Sequence, residues 1–296
     1  MASGRGPRPA PVRRDTAARG KRATPKRARS SGGAPRIGGR REAGRAGPAD
    51  VEIRRSREGD VVRLFLGPAG RSPRLGPRAH ASLCEAAREI DHDDSVRAVV
   101  VESLGRDFCA GDGPGAPGPG REPDGVAAIA ALRVPTLALL HGAVLDEGLE
   151  LALACDLRVC ASDAELGLGQ VARGVLPHRG GTQRLPRLVG RARALRMLLL
   201  GDRTSAAQAL AARLVEQVVP RRRLRAAGTA LAFRIAERGP VAQRLAKEAA
   251  AAALDLPLAE GLRLEGDLYV LLQTTADRAE GIASFRERRR PSFSGT

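Results

Sequence analysis

The chain has 296 residues, 43% of them hydrophobic and 28% charged, with a formal net charge of +17. That apolar content is ample for a domain-sized core and excludes a wholly disordered protein. No apolar run approaches the ~20 residues that a bilayer span needs. The charge is uneven: residues 1–50 hold 14 Arg or Lys against 3 acids, so +11 of the +17 sits there. Arg, Pro, Gly, Ala and Ser dominate this stretch, with Val12 and Ile37 its only large aliphatic residues, which predicts a disordered basic tail. A transit segment is the alternative, opposed by Pro7, Pro9, Pro11, Pro25 and Pro35, which break the amphipathic helix it requires. Nucleic-acid contact is a third use of the charge, although the tail has no aromatic residue to stack on bases. The expected setting is intracellular, a bacterial-type cytoplasm or a mitochondrial matrix. There Cys84, Cys109, Cys155 and Cys160, which lack metal or redox spacing, are reduced packing thiols.

From about residue 51 the texture becomes an alternation of strand-like and helix-like segments. Val61–Leu66 reads as a strand, 79–90 as a helix and 97–102 as a buried β-branched strand. A Gly/Pro loop follows at 111–120, then a short helix at 126–132 and a strand at 135–141. Glu147–Ala154 has helix formers behind an acidic start, which suits a helix N-terminus, and Leu157–Ala161 is again strand-like. Beyond Gly201 the pattern is almost wholly helical, at 205–214, 223–237, 241–254, 257–273 and 275–288. The expectation is a layered α/β core over 51–203 followed by a helical region over 204–296, with no internal repeat in the sequence.

Several chemistries are absent by motif: there is no GxSxG elbow, no HExxH and no GxxxxGK[ST] loop. Gly111-Asp112-Gly113-Pro114-Gly115-Ala116 fits a dinucleotide fingerprint, but Pro117 and Pro119 prevent the helix that must follow. Neither a metal nor a separate cofactor is expected.

The stretch from His141 to Leu185 is more specific. It holds His141-Gly142, Gly148-Leu149-Glu150-Leu151-Ala152-Leu153-Ala154-Cys155-Asp156, Gly167, Pro177 and Gly180-Gly181-Thr182-Gln183-Arg184-Leu185. Upstream lies Phe108-Cys109-Ala110-Gly111; downstream come Gly201-Asp202-Arg203, Lys247-Glu248, Asp277-Arg278, Glu280-Gly281 and Phe285. In this order the motifs resemble the crotonase (enoyl-CoA hydratase/isomerase) superfamily over about 55–296. The resemblance implies an α/β spiral of repeated β-β-α units and a helical C-terminal region that makes trimers or dimers of trimers. It also implies an acyl-CoA thioester substrate, whose coenzyme A is part of the substrate.

What the resemblance implies for chemistry is an oxyanion hole of two backbone N–H groups, at Asp112 and Glu147, facing an enolate-like charge on the thioester oxygen. Ala110, Gly111 and Gly148 fall at substrate-binding positions. Glu150 matches one of the two hydratase glutamates, and the second position falls on Gln170, whose amide can bind water but cannot take its proton. Glu165, the nearest upstream acid, lies on the wrong side of Gly167. Asp112, Asp146 and Glu147 stand where relatives carry small residues, so they bring negative charge toward a site that must stabilise an anion. For Asp146 the expected resolution is a solvent-facing helix cap. The Pro/Gly loop after Gly111 is short, and the first turn, Gly67-Pro68-Ala69 with Pro73-Arg74-Leu75, departs from the family pattern. His178 and Arg179 read as a loop-exposed pair, with His178 also a candidate proton-transfer group in place of the missing glutamate. The functional expectation is hydratase/isomerase-type chemistry in which Glu150 is the only carboxylate at the usual catalytic positions. The alternatives are a catalytically impaired member that retains CoA-ester binding, or an RNA- or protein-binding role.

Overall fold

The computed structural model describes residues 53–112 and 123–296. The expected tail at 1–50, most of the loop at 111–120 and most of the fingerprint-like text lie outside the described residues. The described chain opens on a hairpin, β1 (Ile53–Glu58) and β2 (Val61–Leu66), in which Ile53 pairs with Leu66 and Glu58 with Val61. β1 is largely exposed, as an edge strand rich in Arg and Glu should be. β2 is buried throughout. Helix α1 (Pro77–Asp91) starts with a proline in its first turn, and its buried Ala79, His80, Leu83, Ala86, Ala87 and Ile90 recur at helical spacing. Then come β3 (Ala98–Ser103) and α2 (Gly125–Ala131), whose cap, Asp124, accepts the N–H groups of Val126 and Ala127 at 3.0 Å each.

β4 (Thr136–Leu140), β5 (Ala143–Leu145), α3 (Glu147–Ala154), β6 (Leu157–Ala161) and β7 (Glu165–Gly167) form the middle of the chain. After a 3-10 turn at Gln170–Arg173 the order is α4 (Gly181–Val189), α5 (Arg191–Leu200), β8 (Thr204–Ser205), α6 (Ala206–Ala211) and β9 (Gln217–Val219). Four helices close the chain: α7 (Arg221–Ala236), α8 (Pro240–Ala252), α9 (Leu258–Gln273) and α10 (Ala276–Glu287). The five helices expected beyond Gly201 correspond to α6–α10, and β8 and β9 are additions to that pattern. Strands of two and three residues are too short for period-2 alternation to show in the sequence.

The main sheet runs β1-β2-β3-β4-β6-β9, parallel except for the β1–β2 pair, and a small sheet runs β5-β7-β8. Two isolated parallel bridges, Leu75 with Asp112 and Cys109 with Val144, lead into that small sheet. Each main-sheet strand from β2 to β6 is thus followed by a short second strand or bridge and then a helix. This is the repeated unit that the sequence conceals, because its second strand is only one to three residues long. The altered first turn nevertheless seats Leu75, which is fully buried and donates its N–H to Gly111 O at 3.2 Å.

Parallel strands demand cover on both faces. On one face Leu64, Val99, Val101, Ala138 and Leu140 join the helices of the main core; on the other Val61, Val100, Leu137, Leu139 and Val159 meet Leu224 and Ala232 of α7. α7 lies so close that a Cβ on Gly228 would come within 2.3 Å of Leu139 Cδ2. Two of the motif residues are structural: Lys247 of α8 donates to Asp156 Oδ2 at 2.7 Å, and the same oxygen accepts the Thr136 N–H at 2.7 Å. Cys109, Cys155 and Cys160 are buried free thiols and Cys84 is half-buried. No helix among the described residues is long and apolar enough to cross a membrane.

Candidate active site

α3 begins at a point of backbone strain. Asp146, its N-cap residue, has φ 52° and ψ −123°, a region that normally requires glycine, and its side chain caps nothing in the helix. The conformation is held from outside: Asp146 N–H donates to Gly167 O at 2.8 Å, and Asp146 Oδ1 accepts Gly169 N–H at 2.7 Å. Asp146 Oδ2 pairs with Arg173 at 2.8 Å. The expected solvent-facing cap is therefore corrected: Asp146 is 6% exposed and ties the start of α3 to the 3-10 turn. Two residues on, Gly148 packs against the loop after β3, where a Cβ would stand 2.6 Å from Cys109 Cβ. The close approach of these two segments is what brings Ala110, Gly111 and Gly148 together. A Cβ on Gly111, at φ 104°, would lie 3.1 Å from Asp146 Oδ2. Ala110 N–H is spent on Pro73 O at 2.8 Å.

The two residues expected to form the oxyanion hole meet each other. Glu147 N–H donates to Asp112 Oδ1 at 3.3 Å, so a carboxylate rests on one of the two donors. Asp112 is steadied there by Arg173 at 2.9 Å. Burial pushes the Asp112 carboxyl up, the charges of Glu147 and Asp146 push it further, and the Glu147 N–H and Arg173 offset part of this.

Glu150 and Glu147 lie three residues apart in the first turn of α3 and both have no exposed surface. Glu150 Oε1 accepts two backbone N–H groups, from Arg179 and Gly181, each at 2.8 Å. Gln170 Nε2 approaches Glu150 Oε2 at 3.4 Å, so the amide stands beside the carboxyl. Burial is the main force on Glu150 and pushes its pKa up; the two N–H groups and the charge of His178 restrain the shift, and the negative charge of Glu147 adds to it.

Glu147 sits in a different setting. Its Oε1 accepts from Arg179 Nε in a short ion pair, and His80 Nε2 lies 3.4 Å from the same oxygen. That histidine contact is poorly aligned for a hydrogen bond. His80 Nδ1 accepts Gly125 N–H at 3.1 Å, which in the neutral ring puts the proton on Nε2, facing Glu147. Burial pushes Glu147 up, but His80 and Arg179 together outweigh it and hold this carboxyl below its ordinary range. Arg179 also pairs with Asp124 at 3.2 Å. The expectation of an exposed His178–Arg179 pair is corrected accordingly: Arg179 is 6% exposed, because its guanidinium fills the space beside Glu147, and His178 is half-buried. Arg173, Arg179 and His80 have site roles that sequence reasoning missed. The one available signal for Arg179 was a large cation between Pro177 and Gly180; His80 sits among the buried positions of α1 and gave none.

A largely parallel sheet with helices on both faces, built from strand, short second strand and helix in repeat, is the crotonase type of fold. The comparisons agree. The family model described as enoyl-CoA hydratase/isomerase matches residues 75–296, and the chain belongs to that family within the crotonase superfamily. The mitochondrial enoyl-CoA hydratase domain-containing protein 2 of Mus musculus is 39% identical over 254 residues, covering 79% of this chain and 84% of that protein. Its Bos taurus counterpart is 46% identical over a shorter 171 residues, 56% of this chain and 58% of that protein. A crystal structure of an enoyl-CoA hydratase from Bacillus anthracis superposes with a TM-score of 0.76 at 33% identity, covering 84% of this chain and 100% of that one.

Proposed function

We propose that this chain acts on acyl-CoA thioesters by hydratase/isomerase-type proton transfer through an oxyanion-stabilised enolate, with Glu150 as the proton-transfer group. The observation that carries this is the Glu150 carboxyl: it is fully buried and fixed by two main-chain N–H groups, and burial raises it above the ordinary carboxylate range, which favours the proton-carrying form. In this reading Asp112 and Glu147 supply the thioester-oxygen donors through their backbone, Ala110, Gly111 and Gly148 lie against the thioester, and Gln170 holds water or the carboxyl in place. The coenzyme A moiety enters as part of the substrate.

A second reading, a member that binds CoA esters but turns them over poorly, is favoured by one observation: the Asp112 carboxylate already occupies the Glu147 N–H. One experiment separates the two. Purified protein with crotonyl-CoA, followed by loss of the conjugated thioester absorbance, is expected to turn over and to lose turnover in Glu150→Gln. No turnover across several enoyl chain lengths, with CoA-ester binding retained, decides for the second reading.

The family's oligomer, a homotrimer or dimer of trimers, fits the helical end. No residue of α9 is buried in the single chain, and Leu258, Leu262, Tyr269 and Val270 are exposed along it. We place the protein in a bacterial-type cytoplasm or a mitochondrial matrix, the latter on the strength of the mitochondrial names of its mammalian relatives.

A further inference from the structure

We propose that the side chain of Glu147 is the second proton-transfer carboxylate of this site, filling the role that Gln170 cannot, with Arg179 positioning it against Glu150. The proposal rests on the acyl-CoA reading above. Its basis is an arrangement in which one residue holds both carboxyls: Arg179 gives its backbone N–H to Glu150 Oε1 at 2.8 Å and its guanidinium to Glu147 Oε1. The i, i+3 spacing puts the two side chains on one face of the first turn of α3.

Buried polar atoms without partners mark a place where something polar is to be received. Two occur here, on residues that are each at most 1% exposed: Glu147 Oε2 and Gln170 Oε1. Glu147 thus has one oxygen committed to its ion pair and one uncommitted, as a base requires. Gln170 has an uncommitted acceptor near Glu150, which a protonated Glu150 can reach if the amide turns over. The environments also divide the labour. Glu150, pushed up by burial, is suited to carry a proton; Glu147, held down by His80 and Arg179, is suited to take one.

Ionised Glu147 removes a proton from water while the water oxygen bonds to the β-carbon of the enoyl thioester. The Cα=Cβ π pair moves to give the enolate, whose negative oxygen replaces the Asp112 carboxylate at the Glu147 N–H. The enolate then collapses, taking the proton of neutral Glu150 onto the α-carbon and reforming the thioester carbonyl. Water has been added, Glu147 is neutral and Glu150 ionised. Loss of the Glu147 proton to solvent and uptake of one by Glu150 restores the start.

The test uses the full chain and crotonyl-CoA. Glu147→Gln, which keeps an acceptor for Arg179, is expected to lower the kcat of hydration at least about 100-fold, with KM changed less than about threefold, and to remove the acid limb of the kcat/KM profile against pH. Adding Gln170→Glu to that variant is expected to restore at least about tenfold of the lost rate, since it returns a carboxylate beside Glu150. Wild-type kcat in Glu147→Gln while Glu150→Gln is dead overturns the proposal and leaves the acyl-CoA reading standing. A reduced rate with neither rescue nor loss of the acid limb makes Glu147 structural and also overturns it. If thermal melting shows Glu147→Gln unfolded, the charge-matched Glu147→Gln/Arg179→Gln pair takes its place. Rescue of that pair by Gln170→Glu then supports the proposal, and its absence overturns it. Wild-type protein inactive on every enoyl length is a different failure, that of the underlying function.

Discussion

Glu150 and Glu147 occupy one helical turn and are equally buried, yet they are held in opposite ways. Main-chain N–H groups hold Glu150 and do not fully offset its burial; side chains hold Glu147, with a full cation against it. The first carboxyl is pushed toward neutrality and the second toward charge. The lesson is that burial alone does not set the protonation state of a carboxyl. Two backbone dipoles do not offset desolvation at Glu150, whereas a histidine and a guanidinium arriving together on side chains outweigh it at Glu147.

The sharpest way to break this comparison is to take the cation away. Arg179→Met leaves Glu147 buried without its main partner, and removing one member of a buried pair costs about 3–5 kcal/mol. We expect that loss in chemical denaturation at pH 7 and a smaller one near pH 4, where Glu147 in the variant is protonated. A loss independent of pH shows that Arg179 stabilises by packing instead.

Glu150→Gln probes the other carboxyl and should cut two ways. Turnover of crotonyl-CoA is expected to fall by about 10²–10³, roughly 3–4 kcal/mol of barrier. Stability at pH 7 is expected to rise by about 1 kcal/mol, or about 2–4 °C in Tm. The amide can still accept the Arg179 and Gly181 N–H groups, and its new N–H can satisfy Gln170 Oε1. A Tm that falls shows that the ionised Glu150 contributes to stability, contrary to the direction of its shift.

The pH dependence separates the pair by sign. Glu150 titrates above its ordinary 4.5 in the fold, so the stability it favours is complete below pH 4.5 and is lost as pH rises through its folded value. Glu147 titrates below 4.5, so its contribution is present above pH 4.5 and is lost as pH falls through its folded value. Relative to the wild type, Glu150→Gln should therefore gain stability on going up from about pH 4.5. Glu147→Gln should lose its deficit on going down. Denaturation midpoints between about pH 3 and 8 measure both, and parallel curves for the two variants erase the distinction.

The same contrast explains what could be read from the sequence. Glu150 was legible because the text around it, from Gly148 to Asp156 and from Gly180 to Leu185, encodes backbone approaches that tolerate few residue types: a Cβ on Gly181 would come within 3.0 Å of Glu150 Oε1. β2, α3 and β6 were legible end to end, since apolar runs and helix formers fix them locally. The Glu147 half was not. Asp112, Asp146 and Glu147 read as misplaced charge because their partners, Arg173, Arg179 and His80, come from a 3-10 turn, a loop and α1, which no local pattern connects. α4 and α5 were hidden by a proline inside the first, Pro186, and by glycines at their ends.

The smallest expected effect concerns the contact that most separates the two halves, the Asp112 carboxylate on the Glu147 N–H. A thioester oxygen must displace it, and the 3.3 Å bond is long. Asp112→Asn keeps the size but weakens the acceptor and removes a negative charge that Glu147 and Asp146 already oppose. A neutral hydrogen bond is worth about 1 kcal/mol less than a charge-assisted one, so KM for crotonyl-CoA is expected to fall about three- to fivefold, with kcat changed little. Arg173 limits the effect, because it already draws on the Asp112 carboxylate and so weakens that group's hold on the Glu147 N–H. A KM that rises in Asp112→Asn shows that the carboxylate orders the donor for substrate and does not compete with it.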